Sequence, residues 1–242
     1  MLKILSIGNS FSQNAQTYLY GICESEGLEI HNVNLYIGGC SFDRHYNNMI
    51  SGEAAYSYEV HGVRTNTEIV SLEEGLMREM WDVITVQEVS VRSFDVTQYE
   101  PYMSELVKYV RERQPQAKIY LHMTWGYAAE SPRMEKYGFT SQREMYEKIK
   151  IAYIEAKRII GADGIIPSGE VMQRLAELGY KVHSDMHHAD DGAANYALGL
   201  LWMKALYGKS PIGNEYREFH AEVSESEVLA AQKVVDETEA LI

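Results

Sequence analysis

The stretch "ILSIGNSFSQN" (residues 4–14) decides how the rest of the chain is interpreted. Its short apolar run is typical of a buried strand, and the polar residues after Gly8 begin a helix. Ser10 therefore lies where a strand passes into a helix. A serine there is either a nucleophile beside the amides of a helix N-terminus or a capping residue. The segment alone favours the cap, and if Ser10 is the nucleophile, Ser12 is predicted to cap the helix.

The composition is that of an ordinary folded domain, with 242 residues, 45% apolar and 24% charged. A formal net charge of −13 and the lack of a Lys/Arg cluster argue against a nucleic-acid partner. No run reaches the roughly 18–20 apolar residues of a membrane span, and the first apolar run is too short for a signal peptide. We therefore expect a cytoplasmic protein without a membrane partner, and the sequence leaves its oligomeric state open. Cys23 and Cys40 lack a metal-type spacing and are predicted to be reduced thiols.

Strand-like runs alternate with amphipathic helices along the chain. Strands are predicted at residues 3–7, 29–36, 81–87, 118–123 and 164–167. Helices are predicted at residues 11–26, 141–160, 192–207 and from Ser224 to about 241. The alternation predicts one α/β domain over residues 1–242, a three-layer α/β/α sandwich with a central parallel sheet of about five strands. Residues 54–72 interrupt it as a hairpin or irregular insertion, and residues 124–140 form a long aromatic loop that is a candidate substrate wall.

The segment "HSDMHHADDG" (residues 183–192) carries the second chemical signal. Asp185 and His188 are three residues apart, immediately before a helix. A carboxylate at this spacing can orient an imidazole and stabilise the imidazolium that forms when it takes a hydroxyl proton. The histidines and aspartates of residues 183–191 also suit zinc or manganese, but the chain offers no matching cluster elsewhere, so no metal is predicted. His187 is expected to be a solvated loop residue.

Two further segments follow predicted strands. The glycines in "YIGGCSFDRHYNN" (residues 36–48) permit close backbone approach to a ligand, so the amide of Gly39 can face a site, although a plain turn explains them equally well. Gln87 ends "WDVITVQ", where a side-chain amide can donate to an oxyanion or simply end a buried strand. Because ligands bind at the carboxyl ends of parallel strands, these residues and Ser10 are expected at one edge of the sheet.

The order of these segments resembles the SGNH (GDSL-like) hydrolase superfamily, in particular a bacterial branch with a Gly-Asn-Ser-Phe motif. The resemblance runs from Leu5 to about Leu201 through "ILSIGNSFS", "GGCSFDRHYNN", "ITVQEVS" and "SDMHHADDG". It implies a flavodoxin-like fold, a Ser10 nucleophile, a His188 base and an orienting Asp185. It also implies an oxyanion hole built from Ser10, Gly39 and Gln87, and no cofactor.

Two residues depart from the pattern of the superfamily. Asn9 occupies a position where many members have Asp. Gln87 occupies the position of the usual oxyanion Asn and is one methylene longer, so its NH₂ can serve as the donor if the strand end is shifted.

The implied activity is hydrolysis of short-chain esters, with acetyl the expected acyl group and a sugar or oligosaccharide as its carrier. Asn9, Arg44, His45 and Trp125 are predicted to contact this small-molecule substrate. Other SGNH activities stay open: lysophospholipase, thioesterase or acyltransferase. Two alternatives lie outside that class, namely a flavodoxin-like module that binds phosphate or flavin and a metal-dependent hydrolase that uses residues 183–191.

Overall fold

A seven-stranded mixed sheet forms the centre of the computed structural model, which describes residues 1–241. The strands are β1 (Leu2–Gly8), β2 (Ile30–Tyr36), β3 (Tyr56–Val60), β4 (Glu68–Val70), β5 (Val83–Val86), β6 (Lys118–His122) and β7 (Gly164–Ile166). Their order across the sheet is β4-β3-β2-β1-β5-β6-β7. The strands from β2 to β7 in this order are parallel, as predicted, and the antiparallel hairpin β3–β4 extends the sheet beyond β2.

Helices cover both faces of the sheet. They are α1 (Ser10–Gln16), α2 (Leu19–Ser25), α3 (Phe42–Ser51), α4 (Leu72–Met77), α5 (Tyr102–Arg113), α6 (Pro132–Lys136), α7 (Gln142–Ile160), α8 (Ser168–Glu177), α9 (Ala193–Tyr207) and α10 (Glu225–Asp236), with a 3₁₀ turn at Val96–Gln98. Alternate residues of a strand point to opposite faces, so Leu5 and Ile7 of β1 join one core cluster and Ile4 joins the other. The predicted three-layer sandwich is confirmed.

Several helix boundaries differ from the sequence-based expectation. The helix predicted at residues 11–26 is two helices, because the chain breaks at Thr17 and Tyr18 between α1 and α2. Ser224 and Glu227 form the predicted capping box, but α10 ends at Asp236 rather than near residue 241. No helix within residues 1–241 has both the length and the apolarity needed to cross a membrane.

The direction of the strands determines where a site can form. Because β2, β1, β5, β6 and β7 are parallel neighbours, their carboxyl ends lie along one edge of the sheet. The residues that follow these ends are therefore adjacent in space although they are far apart in sequence. This edge carries the polar residues described next.

Candidate active site

Asn9 forms the turn between β1 and α1. Its Oδ1 accepts a hydrogen bond from the Phe11 amide at 3.1 Å, which makes Asn9 the N-cap, and its Nδ2 donates to the Cys40 carbonyl at 2.9 Å. Ser12 was predicted to be the cap, and this prediction is wrong. Ser12 already lies within the helix, so its hydroxyl turns back to the Asn9 carbonyl and to Asn34 Oδ1, each at 2.8 Å. The turn leaves Ser10 as the first helical residue, half-buried at the edge of the sheet.

Ser10, His188 and Asp185 form a continuous chain of hydrogen bonds. His188 Nε2 lies 2.8 Å from Ser10 Oγ, and His188 Nδ1 lies 2.7 Å from Asp185 Oδ2. The carboxylate accepts the Nδ1 hydrogen of a neutral ring, which leaves Nε2 unprotonated toward the serine hydroxyl. The imidazole is therefore placed to take the proton of Ser10.

The loop that carries His188 is organised by Asp185. Besides the imidazole, its carboxylate accepts the His188 amide at 2.8 Å. Partial burial opposes ionisation of this carboxyl, but the amide and imidazole of His188 outweigh it and hold the pKa of Asp185 well below its usual range. Met186 at the tip has a left-handed φ of 72°, and a bridge between His183 and Ala189 closes the loop. The Asp185 carboxylate and the His188 imidazole are therefore held together within one tight turn.

A cleft of about 610 Å³ opens over Ser10. Four of the predicted site residues line it, namely Asn9, Ser10, Gly39 and His188, together with His187 and Asp191. Gly39 has a φ of 60°, a left-handed conformation that favours glycine. The bond from Asn9 to the Cys40 carbonyl ties the loop of residues 37–40, which we call the glycine loop, to the turn of Asn9 and Ser10, which we call the nucleophile turn after the role predicted for Ser10.

Three of the four predicted substrate contacts do not line the cleft. His45 lies on the inner face of α3, fully buried and 3.0 Å from the Tyr56 hydroxyl, and burial lowers its pKa to about 3. Arg44 is exposed on the same helix, outside the lining of the cleft. Trp125 is also buried, with its indole N–H bonded to the His187 carbonyl at 2.9 Å and its ring 4.1 Å from that of Phe11. The structure thus corrects these three assignments.

Gln87 also lies behind the cleft rather than in it. Its side chain is 1% exposed, with Nε2 2.5 Å from Asn9 Oδ1 and Oε1 2.6 Å from His122 Nδ1. Because Gln87 directly follows the last residue of β5, its side chain reaches beneath the nucleophile turn. This geometry does not favour the assignment of the Gln87 amide as an oxyanion donor.

Several polar residues of the cleft were missed by the sequence-based assignment, among them Arg64, Arg133 and Ser90. Arg64, from the β3–β4 hairpin, donates to the Gln13 carbonyl and the Thr17 hydroxyl at 3.2 and 2.6 Å. Arg133 comes from the aromatic loop, and Ser90 from the segment after β5. Within residues 1–241, neither arginine has a carboxylate within 4.0 Å. Arg64 lies within residues 54–72 and Arg133 within residues 124–140, the two segments that interrupt the predicted alternation of strands and helices.

One cluster of possible metal ligands exists among the residues that the structure describes. Ligand atoms of Asp185, His187 and His188 lie within 4.8 Å of one another. In the same arrangement, both ring nitrogens of His188 already face partners, Asp185 on one side and Ser10 on the other. A metal ion bound through His188 would have to replace one of these hydrogen bonds.

A family model for a domain of unknown function, DUF4886, matches residues 3–235. The chain belongs to the DUF4886 family. A crystal structure of a DUF4886 protein from Bacteroides uniformis has 33% identity and a TM-score of 0.90, over 97% of this chain and 93% of that one. None of the curated proteins matches the chain.

More distant solved structures that are similar to this DUF4886 protein in fold include hydrolases. A candidate SGNH hydrolase from Slackia heliotrinireducens has 18% identity and a TM-score of 0.59, over 84% of this chain and 97% of that one. The esterase EstA from a Pseudoalteromonas species has 15% identity and a TM-score of 0.50, over 83% and 92% of the two chains. These likenesses show that the DUF4886 protein has the SGNH-type α/β/α fold.

Proposed function

We propose that this DUF4886 protein is a serine esterase that acts through an acyl-serine intermediate. The observation that carries the proposal is the chain of hydrogen bonds from Ser10 through His188 to Asp185, with links of 2.8 and 2.7 Å, in the wall of an open cleft. A hydroxyl, a neutral imidazole and a carboxylate in this order are the groups that activate a serine nucleophile. The solved hydrolases of the same fold support the reaction class.

In the first half-reaction, Ser10 Oγ forms a bond to the ester carbonyl carbon while His188 Nε2 takes its proton. The carbonyl oxygen becomes an oxyanion. When it collapses, the bond to the alcohol oxygen breaks, and His188 returns the proton to that leaving group. In the second half, water attacks the acyl-serine with His188 again as base, releasing the acid and regenerating Ser10. Asp185 stays ionised throughout, consistent with its lowered pKa, and stabilises the imidazolium.

Backbone amides are the proposed donors to the oxyanion. Ser10 is the first residue of α1, so its amide has no partner within the helix and lies at the positive end of the helix dipole. The Gly39 amide belongs to the loop that lines the cleft beside it. Loss of one oxyanion donor typically costs about 10²–10³ in rate.

The proposed substrate is a short-chain ester, with acetyl as the acyl group, on a polar alcohol such as a sugar. Beside the apolar Phe11, Val89 and Val91, the lining of the cleft includes the polar side chains of Gln13, Asn14, Ser90 and Ser184. Arg64 and Arg133 add two guanidinium groups that can donate to hydroxyl or carboxylate oxygens. This lining supports a hydrophilic alcohol part rather than a lipid.

The test of the reaction class is labelling with a fluorophosphonate, followed by location of the adduct by mass spectrometry. We expect one adduct on Ser10 that is absent from Ser10→Ala and greatly slowed in His188→Ala. Ser12→Ala is the matched control, because its hydroxyl is two residues away and structural, and it should still be labelled. Absence of an adduct together with wild-type turnover of p-nitrophenyl acetate by Ser10→Ala would contradict the proposal.

The same preparation separates the alternatives. Loss of turnover with a chelator, without labelling by the phosphonate, would indicate the metal-dependent hydrolase. A co-purifying flavin and no turnover would indicate the binding module.

Substrate class is tested with a panel of acetylated sugars, longer p-nitrophenyl esters, acyl thioesters and lysophospholipids. We expect the acetylated sugars to give the highest kcat/KM. Arg64→Ala and Arg133→Ala should raise KM for these sugars several-fold more than KM for p-nitrophenyl acetate, whose alcohol lacks hydroxyl groups beyond the leaving oxygen. Equal effects on KM for both substrates would show that the two arginines do not recognise the alcohol part of the substrate.

A further inference from the structure

A buried chain of hydrogen bonds crosses the carboxyl edge of the sheet. Its members follow or end five neighbouring strands: Cys40 after β2, Asn9 after β1, Gln87 after β5, His122 at the end of β6 and Ser168 after β7. The successive links measure 2.9 Å, 2.5 Å, 2.6 Å and 2.9 Å. None of these residues is more than 1% exposed. We call this set the strand-end chain.

The direction of every hydrogen bond in the strand-end chain follows from two backbone groups. The Phe11 amide can only donate and the Cys40 carbonyl can only accept, so the Asn9 oxygen must face the first and its NH₂ the second. The Gln87 atom that faces Asn9 Oδ1 must then be its NH₂, which turns its oxygen toward His122 Nδ1.

The same logic continues through His122 to the far end. His122 Nδ1 must carry the ring hydrogen, and Nε2 accepts from the Ser168 hydroxyl. Full burial keeps this ring neutral, because it lowers the pKa of His122 to about 3. All members of the strand-end chain therefore donate in one direction, from Ser168 toward the glycine loop.

We propose that Gln87 and His122 are positioning residues that hold the nucleophile turn and the glycine loop in register with each other. Asn9 is the point of contact, because its one amide caps the helix of Ser10 and ties down the loop of Gly39. Asn9 Oδ1 accepts hydrogen bonds from both the Phe11 amide and the Gln87 NH₂. These two bonds fix the orientation of the Asn9 amide and keep its NH₂ directed at the Cys40 carbonyl. This inference rests on the proposed function, since it concerns the spacing of the two oxyanion amides.

The kinetic test compares Gln87→Leu, His122→Phe and Ser168→Ala with the wild type on p-nitrophenyl acetate. We expect Gln87→Leu to lower kcat about 10- to 100-fold, since misplacement by about 1 Å can cost 10²-fold, while KM changes less than about threefold. His122→Phe should show the same split, and the double variant should be no worse than the worse single variant, because both act on one chain. Ser168→Ala is the smaller change to use if His122→Phe does not fold. It should lower kcat a few-fold.

Gln114→Leu is the matched control. Gln114 is another buried glutamine (3% exposed), and it bonds to the Leu76 and Glu79 carbonyls beside α4, away from the strand-end chain. We expect it to lower the melting temperature without changing kcat. If Gln87→Leu lowers the melting temperature as Gln114→Leu does and leaves kcat unchanged, the positioning role is overturned.

A second outcome would also overturn the proposal. If Gln87→Leu loses activity while His122→Phe and Ser168→Ala both keep wild-type kcat, Gln87 donates to the oxyanion directly and the strand-end chain has no role in catalysis.

A readout independent of turnover is the ¹⁵N spectrum of the His122 ring. We expect the Nδ1–H tautomer, without titration between pH 5 and 8, and a change of these shifts in Gln87→Leu. An Nε2–H tautomer or an imidazolium would overturn the assigned direction, even if the protein proves to have no esterase activity. Failure of the proposed function is recognised separately, by a wild type that neither labels nor turns over esters.

Discussion

The nucleophile turn and the loop that carries the base are held in opposite ways. Asn9 is 1% exposed, and its side chain bonds to three groups from three segments: the Phe11 amide, the Cys40 carbonyl and the Gln87 amide. His188 is instead oriented from within its own turn, by a carboxylate three residues away whose side chain is 50% exposed. The side chain of Asn9 is therefore held by groups remote in sequence, whereas the imidazole of His188 is held by a residue of its own turn.

This difference predicts different responses to mutation. In the loop that carries His188 (the base loop), substitution of Asp185 or His188 should remove activity with little loss of stability, because both side chains are partly exposed and bond to each other. Changes in the nucleophile turn should lower both activity and stability, because each removed atom leaves a buried partner without its hydrogen bond. The following variants sharpen the comparison or break it.

The largest effect is expected for His188→Ala compared with His187→Ala. Under the proposed function, loss of the His188 imidazole should lower kcat by about 10⁴- to 10⁶-fold, as loss of the triad histidine does in known serine hydrolases. His187 makes no hydrogen bond to Ser10, so its loss should cost less than about tenfold. Steady-state kinetics on p-nitrophenyl acetate checks both variants, and a larger loss in His187→Ala would transfer the role of base to that residue.

Asp185→Asn should lower kcat by about 10²- to 10⁴-fold, because an amide neither holds the tautomer nor stabilises the imidazolium as a carboxylate does. Its remaining oxygen can still accept the His188 amide, so the turn should persist. We therefore expect a melting temperature within a few degrees of the wild type, measured by calorimetry. Unfolding of this variant would contradict the view that the base loop is energetically local.

Asn9→Ala should lower kcat about 10- to 100-fold and also destabilise the protein. Loss of the N-cap costs about 1 kcal/mol, and the buried donor of Gln87 loses its acceptor, which costs about 1–3 kcal/mol more. Urea unfolding and steady-state kinetics measure the two losses on the same preparation. Activity loss at unchanged stability would erase the contrast with Asp185→Asn.

The smallest effect concerns Glu88, which is 0% exposed beside Gln87, with its Oε1 accepting the Phe42 and Val89 amides. Burial raises the pKa of this carboxyl to about 7. The folded state therefore binds a proton that the unfolded state releases near the usual glutamate pKa of about 4.3, so the contribution to stability is present below that pH and is lost as the pH rises through about 7.

Glu88→Gln keeps the acceptor and removes the titration. The free energy of unfolding of the variant minus that of the wild type should increase from pH 5 to pH 8 by at most about 3 kcal/mol, because only the wild type loses stability over this range. Urea unfolding at both pH values measures this difference. A constant difference across this range would show that Glu88 is not protonated in the folded protein.

The extent to which the site could be predicted follows the same division. The pairing of Asp185 with His188 was predictable because both residues lie within the same turn. Ser10 was recognisable because the apolar strand and the following polar turn are consecutive in sequence. The roles of these three residues remain proposals, but their juxtaposition across 178 positions matches the expectation.

Side chains whose direction depends on distant elements were not predictable in this way. Gln87 was expected to face the cleft, but the direction of its amide is determined by Asn9 on one neighbouring strand and His122 on the other. His45 and Trp125 are polar or amphipathic residues near the site in sequence, and the packing of α3 and of the aromatic loop turns both inward.

By itself, the sequence determined the five parallel strands, to within two residues at each end, and their alternation with helices, because these follow from local periodicity and turn chemistry. Only the tertiary structure decided that Asn9 rather than Ser12 caps α1, that Arg64 and Arg133 reach the cleft, and that the Gln87 side chain lies behind the cleft between Asn9 and His122. The physical reason is that a buried polar group takes whichever partner the neighbouring strand presents, and that partner is remote in sequence.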